Sequence, residues 1–330
     1  MQNVRAGIIP GSTGMMPECD RPGGCCQLGM ISLTCTDGTG FNKTIPLPSM
    51  AADKTNTRPP GVAGMFYPSG RDEVGRLLDL FLKEEEPDID KNPVPGAVLG
   101  GIVPHAGIEY CGRQAVHFFE TARNNLFIAE TVVIVNPNHY GLGPPISVDD
   151  HQYWEVPNGT AETDLELAAE MKLPFSKAAQ RREHSAEVIV PYIKHFFPGK
   201  TRIVCLNMLD QDHDAAVEAA GRIHTAVRRT GRRVLLIASS DFSHFVSRSE
   251  ARDKDDILLK AILNKDSSGV FEKAARHDLS VCGCGPIMTL MEYSDIVEPD
   301  YKVRVLSRGD SGPAGDTSGV VSYVSVLFYI

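Results

Sequence analysis

The chain has 330 residues, of which 42% are hydrophobic and 23% charged, and its formal net charge is −9. This composition predicts a globular protein with enough apolar material for one large core or two small ones. The lack of a Lys/Arg-rich run argues against a nucleic-acid-binding protein, and no run approaches the ~20 apolar residues that a membrane span needs.

Residues 1–57 differ from the rest of the sequence. They are rich in Gly, Pro, Ser, Thr and Met and show neither helical nor strand periodicity. We predict a disordered or non-native extension, for example one that precedes the start codon actually used. The segment has no apolar signal-peptide core, and the cysteine spacings of the chain fit neither a disulfide framework nor a paired zinc site. We therefore expect a cytoplasmic protein whose cysteines are mostly free thiols.

Residues 58–330 are predicted to form a single α/β domain. A capping box at residues 69–72 (Ser-Gly-Arg-Asp) predicts the start of its first helix. The apolar residues of that helix recur at helical spacing, and they are Val74, Leu77, Leu78 and Phe81.

Four apolar, β-branched runs follow, and each ends in polar residues. They are residues 98–103, 131–135, 202–206 and 234–238. Such runs are typical of strands that are buried on both faces of a sheet. The segments between them can hold crossover helices, for example over residues 212–229. Residues 303–306 and 320–328 predict two more strands that are antiparallel neighbours. The pattern predicts an α/β fold with a central mixed β-sheet flanked by helices.

Three histidines come just after the carboxyl end of a predicted buried strand, and they are His105, His139 and His244. In open α/β sheets, ligand sites gather outside the carboxyl ends of the strands. We therefore expect the three imidazoles to meet in one crevice.

Cys282 lies in a Gly- and Pro-containing turn just before a predicted helix. A helix N-terminus favours a thiolate, although Cys284 could take the same role and the local pattern does not decide between them. Two histidines and one thiolate suit iron, copper or zinc. If the third ligand were instead Asp241 or Glu183, the set would be the facial triad of non-haem iron oxygenases.

His184 stands at the entry of another predicted helix, which Ser185 is expected to cap. This position is compatible with a helix-entry histidine and with a residue in the cleft. The other six histidines are predicted to lie on helices or turns without polar neighbours and to have no functional role. They are His117, His151, His195, His213, His224 and His277.

Six segments, in family order, resemble motifs of the Memo family. Residues 104–112 (PHAGIEYCG) resemble its PHAGxxYCG signature, residues 136–139 (NPNH) its GPxH loop, and residues 183–192 (EHSAEVIVPY) its EHSxExxxPY segment. Residues 239–244 (SSDFSH) resemble its SSDFxH motif, residues 282–283 its ICG turn, and residues 319–323 (GVVSY) its closing strand. The resemblance covers about residues 58 to 330.

This resemblance implies a fold similar to that of the class III extradiol dioxygenases. It also implies a metal site whose ligands are His105, His139 and Cys282, where the dioxygenases have a glutamate in place of the cysteine. Their catalytic acid/base histidine corresponds to His244, with Asp241 beside it. In prokaryotes the family is found beside radical-SAM and AMMECR1-like proteins, which implies a shared pathway.

The leading functional hypothesis is a redox enzyme that depends on Fe(II) or copper, with zinc less favoured. His244, Asp241 and His184 would be its catalytic residues. His244 would be the general acid/base, and Asp241 would orient it or support a metal ligand. The cleft would bind a small molecule or a peptide. The alternatives are a non-catalytic metal carrier or peptide-binding adaptor, and a zinc hydrolase. Asn136, Ile108 and Phe245 depart from the usual family pattern.

Overall fold

A computed structural model of the chain describes residues 56–330, except residues 93, 126–128, 198 and 314–317. The predicted N-terminal extension therefore lies outside the described residues, apart from its last two positions. At the second of these, Thr57 begins a short strand, so regular structure starts slightly before the predicted boundary.

The centre of the fold is an eight-stranded mixed sheet. Seven of its strands follow one another across the sheet in the order β10 (Lys302–Asp310), β11 (Val320–Tyr329), β2 (Val98–Val103), β8 (Val234–Ser239), β3 (Thr131–Pro137), β7 (Arg202–Met208) and β4 (Ile146–Val148). The eighth strand, β9 (His244–Val246), pairs with β11. Strands β2, β8, β3 and β7 are parallel, whereas β10, β11 and β4 run antiparallel to their neighbours. The predicted mixed sheet is confirmed, as are its four central strands and the antiparallel C-terminal pair.

A second, smaller sheet has three strands. Its strands are β1 (Thr57–Arg58), β5 (Tyr153–Val156) and β6 (Gly159–Glu162), in that order. The sequence analysis did not predict these strands or β4, because three or four residues are too few to show a period.

Helices cover both faces of the large sheet. On one face lie α1 (Arg71–Glu85), α2 (Ile108–Asn124) and α5 (Ile189–Phe196). On the other lie α3 (Leu165–Glu170), α6 (His213–Thr230), α7 (Arg248–Leu263), α8 (Ser267–Arg276) and α9 (Cys284–Val297). A one-turn helix, α4 (Lys177–Gln180), precedes α5. Within the described ranges, no helix is both long and apolar enough to cross a lipid bilayer.

The alternation of side chains along each central strand explains the two cores. In β3, Val133 and Val135 point into the core beneath α6 and α9, whereas Val132 and Ile134 point into the core beneath α1 and α2. Because both faces are covered, the central strands are apolar throughout rather than alternating with polar residues.

Two predicted helix caps are wrong. Helix α1 begins at Arg71 after Gly70, and no described side chain caps it. Ser69 therefore lies one residue too early for a capping box. Helix α5 begins only at Ile189, and the Ser185 hydroxyl instead donates to Glu183 Oε1 at 2.8 Å.

Candidate metal centre

The crevice lies where the neighbouring strands β2, β8 and β3 end. His105 follows β2 and His139 follows β3, each by two residues, and Ser239 ends β8 between them. His184 reaches the same place from the segment between α4 and α5. One ring nitrogen of each of these three histidines lies within 4.8 Å of the others. Parallel strand ends thus bring together residues that are far apart in the sequence.

The ring of His105 is held in one tautomer. The Ser239 hydroxyl donates its proton to the carbonyl oxygen of Ser185 at 2.7 Å. It can therefore only accept at its other contact, which is His105 Nδ1 at 2.8 Å. Nδ1 must carry the hydrogen, and the lone pair of His105 is left on Nε2.

Glu183 fixes the second imidazole in the same way. Its buried carboxylate accepts from His139 Nδ1 at 2.9 Å and from the His139 main-chain N–H at 2.8 Å. Ser185 donates two further hydrogen bonds to it. Burial alone would raise the pKa of Glu183, but these donors outweigh it and lower the pKa to about 2. The carboxylate is therefore ionised, and in the neutral form of His139 the hydrogen is on Nδ1 and the lone pair on Nε2.

These contacts also indicate whether Glu183 orients a ligand or acts as a ligand itself. Both carboxylate oxygens accept hydrogen bonds from His139 and Ser185. The group therefore orients an imidazole, as carboxylates beside metal-bound histidines commonly do. This arrangement differs from the facial triad in which Glu183 would itself be a ligand.

His184 lies between two other rings. It stacks on His139 with 4.7 Å between ring centroids, and Phe66 covers it at 4.6 Å. Its buried Nδ1 is 3.5 Å from Glu183 Oε1 and has no hydrogen-bond partner among the described residues. Burial lowers the pKa of His184 to about 4, although the charge of Glu183 opposes this. His184 is therefore a neutral imidazole near pH 7.

The two candidate cysteines lie in different surroundings. Cys282 Sγ is 3.3 Å from His105 Nε2 and accepts the main-chain N–H of Asp241 at 3.2 Å. Cys284 belongs to the apolar core, and burial raises its pKa to about 12. The turn requires Gly283, because a Cβ there would lie 2.6 Å from the Cβ of Ser240. Of the two thiols, Cys282 is the one in the crevice.

His244 and Asp241 form hydrogen bonds with different groups. His244 Nδ1 lies 2.8 Å from the carbonyl oxygen of Phe242 and 2.7 Å from that of Ser280. Carbonyls only accept, so Nδ1 carries the hydrogen and Nε2 is free to take up a proton. Asp241 instead accepts the main-chain N–H of His105 at 2.8 Å. Burial raises the pKa of Asp241 to about 6, against the effect of that hydrogen bond.

The donor set fits a transition-metal ion. Burial, followed by the neighbouring histidines, lowers the pKa of His105 well below its ordinary range. Neutral imidazoles are the form that binds metals, and groups of them suit iron, copper, zinc or nickel. His105, His139 and His184 could hold such an ion, with the Cys282 thiol next to it. His184 Nδ1 is also a buried polar atom that the described residues leave without a hydrogen-bond partner.

His184 was predicted from the sequence to be a catalytic residue and not a ligand, because a loop between two short helices gives no strand-end signal. The Glu-His pair itself was the available clue, since a carboxylate next to a histidine often marks a metal site.

The prediction that six histidines lack polar neighbours was also wrong for four of them. Each of these pairs with a carboxylate in the tertiary structure, and the pairs are His117–Glu85, His151–Asp149, His195–Asp79 and His213–Glu292.

The neutral state of His184 predicts a pH effect on the stability of the metal-free protein. Its pKa falls from 6.5 in an exposed histidine to about 4 in the fold. As the pH drops from 6.5 towards 4, the unfolded state takes up a proton that the folded state refuses, so stability falls. This shift corresponds to about 3 kcal/mol. Between pH 6.5 and pH 4, the free energy of unfolding should therefore fall by about 3 kcal/mol less in the His184→Gln protein than in wild type. Urea unfolding at the two pH values measures the difference. Equal losses in both proteins would contradict the prediction.

Comparison with known proteins agrees with the motifs. The family model described as "Memo-like protein" matches residues 58–327. A MEMO1 family protein of Pyrobaculum aerophilum is 37% identical over 284 residues, which are 82% of this chain and 99% of that protein. Relatives from Methanosarcina barkeri (35% identical, 82% and 99% covered) and Ignicoccus hospitalis (36%, 82% and 98%) carry the same description. Among solved structures, an uncharacterized protein of Escherichia coli K12 aligns with a TM-score of 0.41 and 13% identity, over 63% of this chain and 90% of that chain.

Proposed function

The chain belongs to the Memo family, and we propose that it is a metal-dependent oxidoreductase that binds Fe(II) or copper through His105, His139 and His184. The observation that carries this proposal is the convergence of three imidazoles, of which His105 is buried, His184 half-buried and His139 exposed. Ser239 and Glu183 each contact Nδ1 of one ring, which leaves the lone pair on Nε2 of His105 and on Nε2 of the neutral form of His139.

The thiol of Cys282 adds a second kind of donor to the proposed metal site. It lies 3.3 Å from His105 Nε2, where it adds a soft sulfur donor to the imidazoles. Sulfur and imidazole together suit copper, iron and zinc, and the resemblance of the family to the class III extradiol dioxygenases favours a redox-active ion among them. Such an ion, when bound, supplies one-electron chemistry towards dioxygen or a reducible substrate.

The residues around the imidazoles can handle protons and position a substrate. His244 is held through Nδ1, which leaves Nε2 to accept a proton from a small molecule or peptide in the crevice. Asp241 fixes the main chain of His105 and Ala106 through Oδ1. We therefore assign His244 the role of general acid/base and Asp241 that of holding a ligand-bearing segment.

The test is elemental analysis of protein that has been purified anaerobically, combined with oxygen consumption in the presence of candidate reductants. We expect near-stoichiometric iron or copper in wild type. His244→Ala should keep its metal and lose oxygen consumption, because His244 moves protons and does not bind the ion. Cys282→Ala should lose metal affinity, whereas Cys284→Ala should retain it, because Cys284 lies in the apolar core.

The outcomes separate the alternatives. Metal that is retained without turnover in any assay would favour a carrier or adaptor, because the same donors could hold a metal that is only carried. Stoichiometric zinc with activity that survives strict anaerobiosis would favour a hydrolase. Wild type without metal, or metal content that is indifferent to these substitutions, would overturn the proposal.

A further inference from the structure

A buried ion pair contacts the main chain of the segment that carries Glu183 and His184. Arg58 and Glu187 are 2% and 0% exposed, and Arg58 Nη1 contacts Glu187 Oε2 at 2.5 Å. Neither side chain belongs to the group of three imidazoles. Replacing such a pair by apolar residues is often neutral or stabilising, so its presence here calls for a role beyond stability.

Arg58 connects the pair to the metal centre. Its Nη2 donates to the carbonyl oxygen of Glu183 at 2.8 Å, and its Nε donates to the carbonyl oxygen of Gln180 at 2.9 Å. The guanidinium lies over the Trp154 ring at 4.2 Å. A single planar group thus holds the main chain on which Glu183 and His184 stand, and its own orientation is fixed by an aromatic face.

Glu187 connects the same segment to the loop of residues 61–67. It accepts the main-chain N–H groups of Gly61 and Val62 at 2.9 Å and the Tyr67 hydroxyl at 2.5 Å. Burial, and then the charge of Glu187, raises the pKa of Tyr67, so the hydroxyl remains a donor. The loop packs closely against this carboxylate, because a Cβ on Gly61 would lie 3.2 Å from Glu187 Oε2.

The loop then reaches the imidazoles themselves. The ring of Phe66 packs on the ring of His184 at 4.6 Å between centroids. The carbonyl oxygen of Phe66 accepts the N–H of Ile108 at 2.7 Å, three residues after His105. The ion pair is therefore joined, through hydrogen bonds and one ring contact, to the segments that carry all three histidines.

We propose that Arg58 and Glu187 are positioning residues of the metal centre, which hold the Glu183–His184 segment and the 61–67 loop so that the three imidazoles converge. This inference rests on the proposed metal binding. Neither residue touches the ion, yet metal affinity depends on both of them. Residues that orient metal ligands in this way typically change metal affinity by about 10–100-fold.

The test compares metal affinity with stability. Copper(I) affinity is measured anaerobically by competition with a chromophoric chelator, and thermal unfolding is followed on the metal-free proteins. We expect Arg58→Met and Glu187→Gln each to weaken copper(I) binding by about 10–100-fold. The double variant Arg58→Met/Glu187→Met should regain part of the melting temperature lost in Arg58→Met, because no uncompensated charge remains. Its affinity should stay low. Affinity that recovers together with stability would overturn the positioning role.

Two further variants separate a specific effect on metal affinity from a general loss of stability. Tyr67→Phe removes a single hydrogen bond to Glu187 and is expected to lower affinity by about threefold to tenfold, at a smaller cost in stability than Arg58→Met. Wild-type affinity here would also contradict the proposal. Asp164→Asn disturbs a buried carboxylate at the opposite, amino-terminal edge of the sheet, where it pairs with Thr131 and Arg232. It should lower stability and leave affinity unchanged.

The outcome for wild type separates this inference from the function on which it rests. Wild type that binds neither copper(I) nor iron(II) overturns both. Tight binding by wild type, with equally tight binding by the Arg58 and Glu187 variants, overturns only the positioning role.

Discussion

Replacement of His105 by alanine is expected to lower metal affinity more than 100-fold. Substitution of a residue that only orients a ligand typically lowers metal affinity by about 10–100-fold, and the loss of a ligand itself should exceed this. His105 is 2% exposed and is the imidazole closest to the Cys282 thiol, at 3.3 Å. The substitution removes a nitrogen donor that already has the tautomer required for binding. Elemental analysis of anaerobically purified protein, followed by titration with iron(II) and copper(I), measures the loss.

The matched control is His195→Ala. His195 lies near the end of α5 and pairs with Asp79, so its ring is also held by a carboxylate. We expect this variant to bind metal as wild type does, which would exclude a general effect of deleting a histidine. Near-stoichiometric metal in the His105→Ala protein would show that the three-imidazole group is not the site.

Replacement of Glu183 by alanine is expected to cause the largest combined loss of stability and metal affinity. The buried carboxylate accepts from His139 Nδ1, from the His139 N–H and from both donors of Ser185. Its removal takes away the acceptor of these donors, which are part-buried in His139 and buried in Ser185, and a buried donor left unsatisfied costs about 1–3 kcal/mol. His139 also loses the group that keeps its hydrogen on Nδ1, so we expect metal affinity to fall by about 10–100-fold.

Urea unfolding of the metal-free protein and chelator competition measure the two effects separately. Glu183→Gln keeps one acceptor and should lie between alanine and wild type in both. As a control, Glu218→Ala removes an exposed carboxylate that pairs with Arg222 on α6, and such a pair contributes about 0.5 kcal/mol at most. If Glu183→Ala were as mild as Glu218→Ala, the carboxylate would not be orienting His139.

Some elements of the fold were predicted from the sequence and others were not. The four central strands were predicted closely, because a strand that is covered on both faces needs apolar, β-branched residues throughout. The short strands β4, β5 and β6 were not predicted, since they carry too few residues for a period. The expected caps at Ser69 and Ser185 failed because a capping pattern describes four residues, whereas the tertiary contacts of Ser185 decide what its hydroxyl binds.

The sequence by itself determined the class of fold, the Memo family and the edge of the sheet at which chemistry is expected. His105 and His139 could be placed there because each follows a strand, and the carboxyl ends of parallel strands share one edge. Only the tertiary structure decided that His184 joins them and that Arg58 and Glu187 contact the segment that carries it, and it showed that Cys282, the cysteine implied by the resemblance, faces the crevice. His184, Glu187 and Cys282 lie outside the helices and strands, and Arg58 lies in the two-residue strand β1, so no periodicity relates their position in the chain to direction in space. Their placement depends on hydrogen bonds between segments more than a hundred residues apart, such as the bond from Arg58 to Glu187.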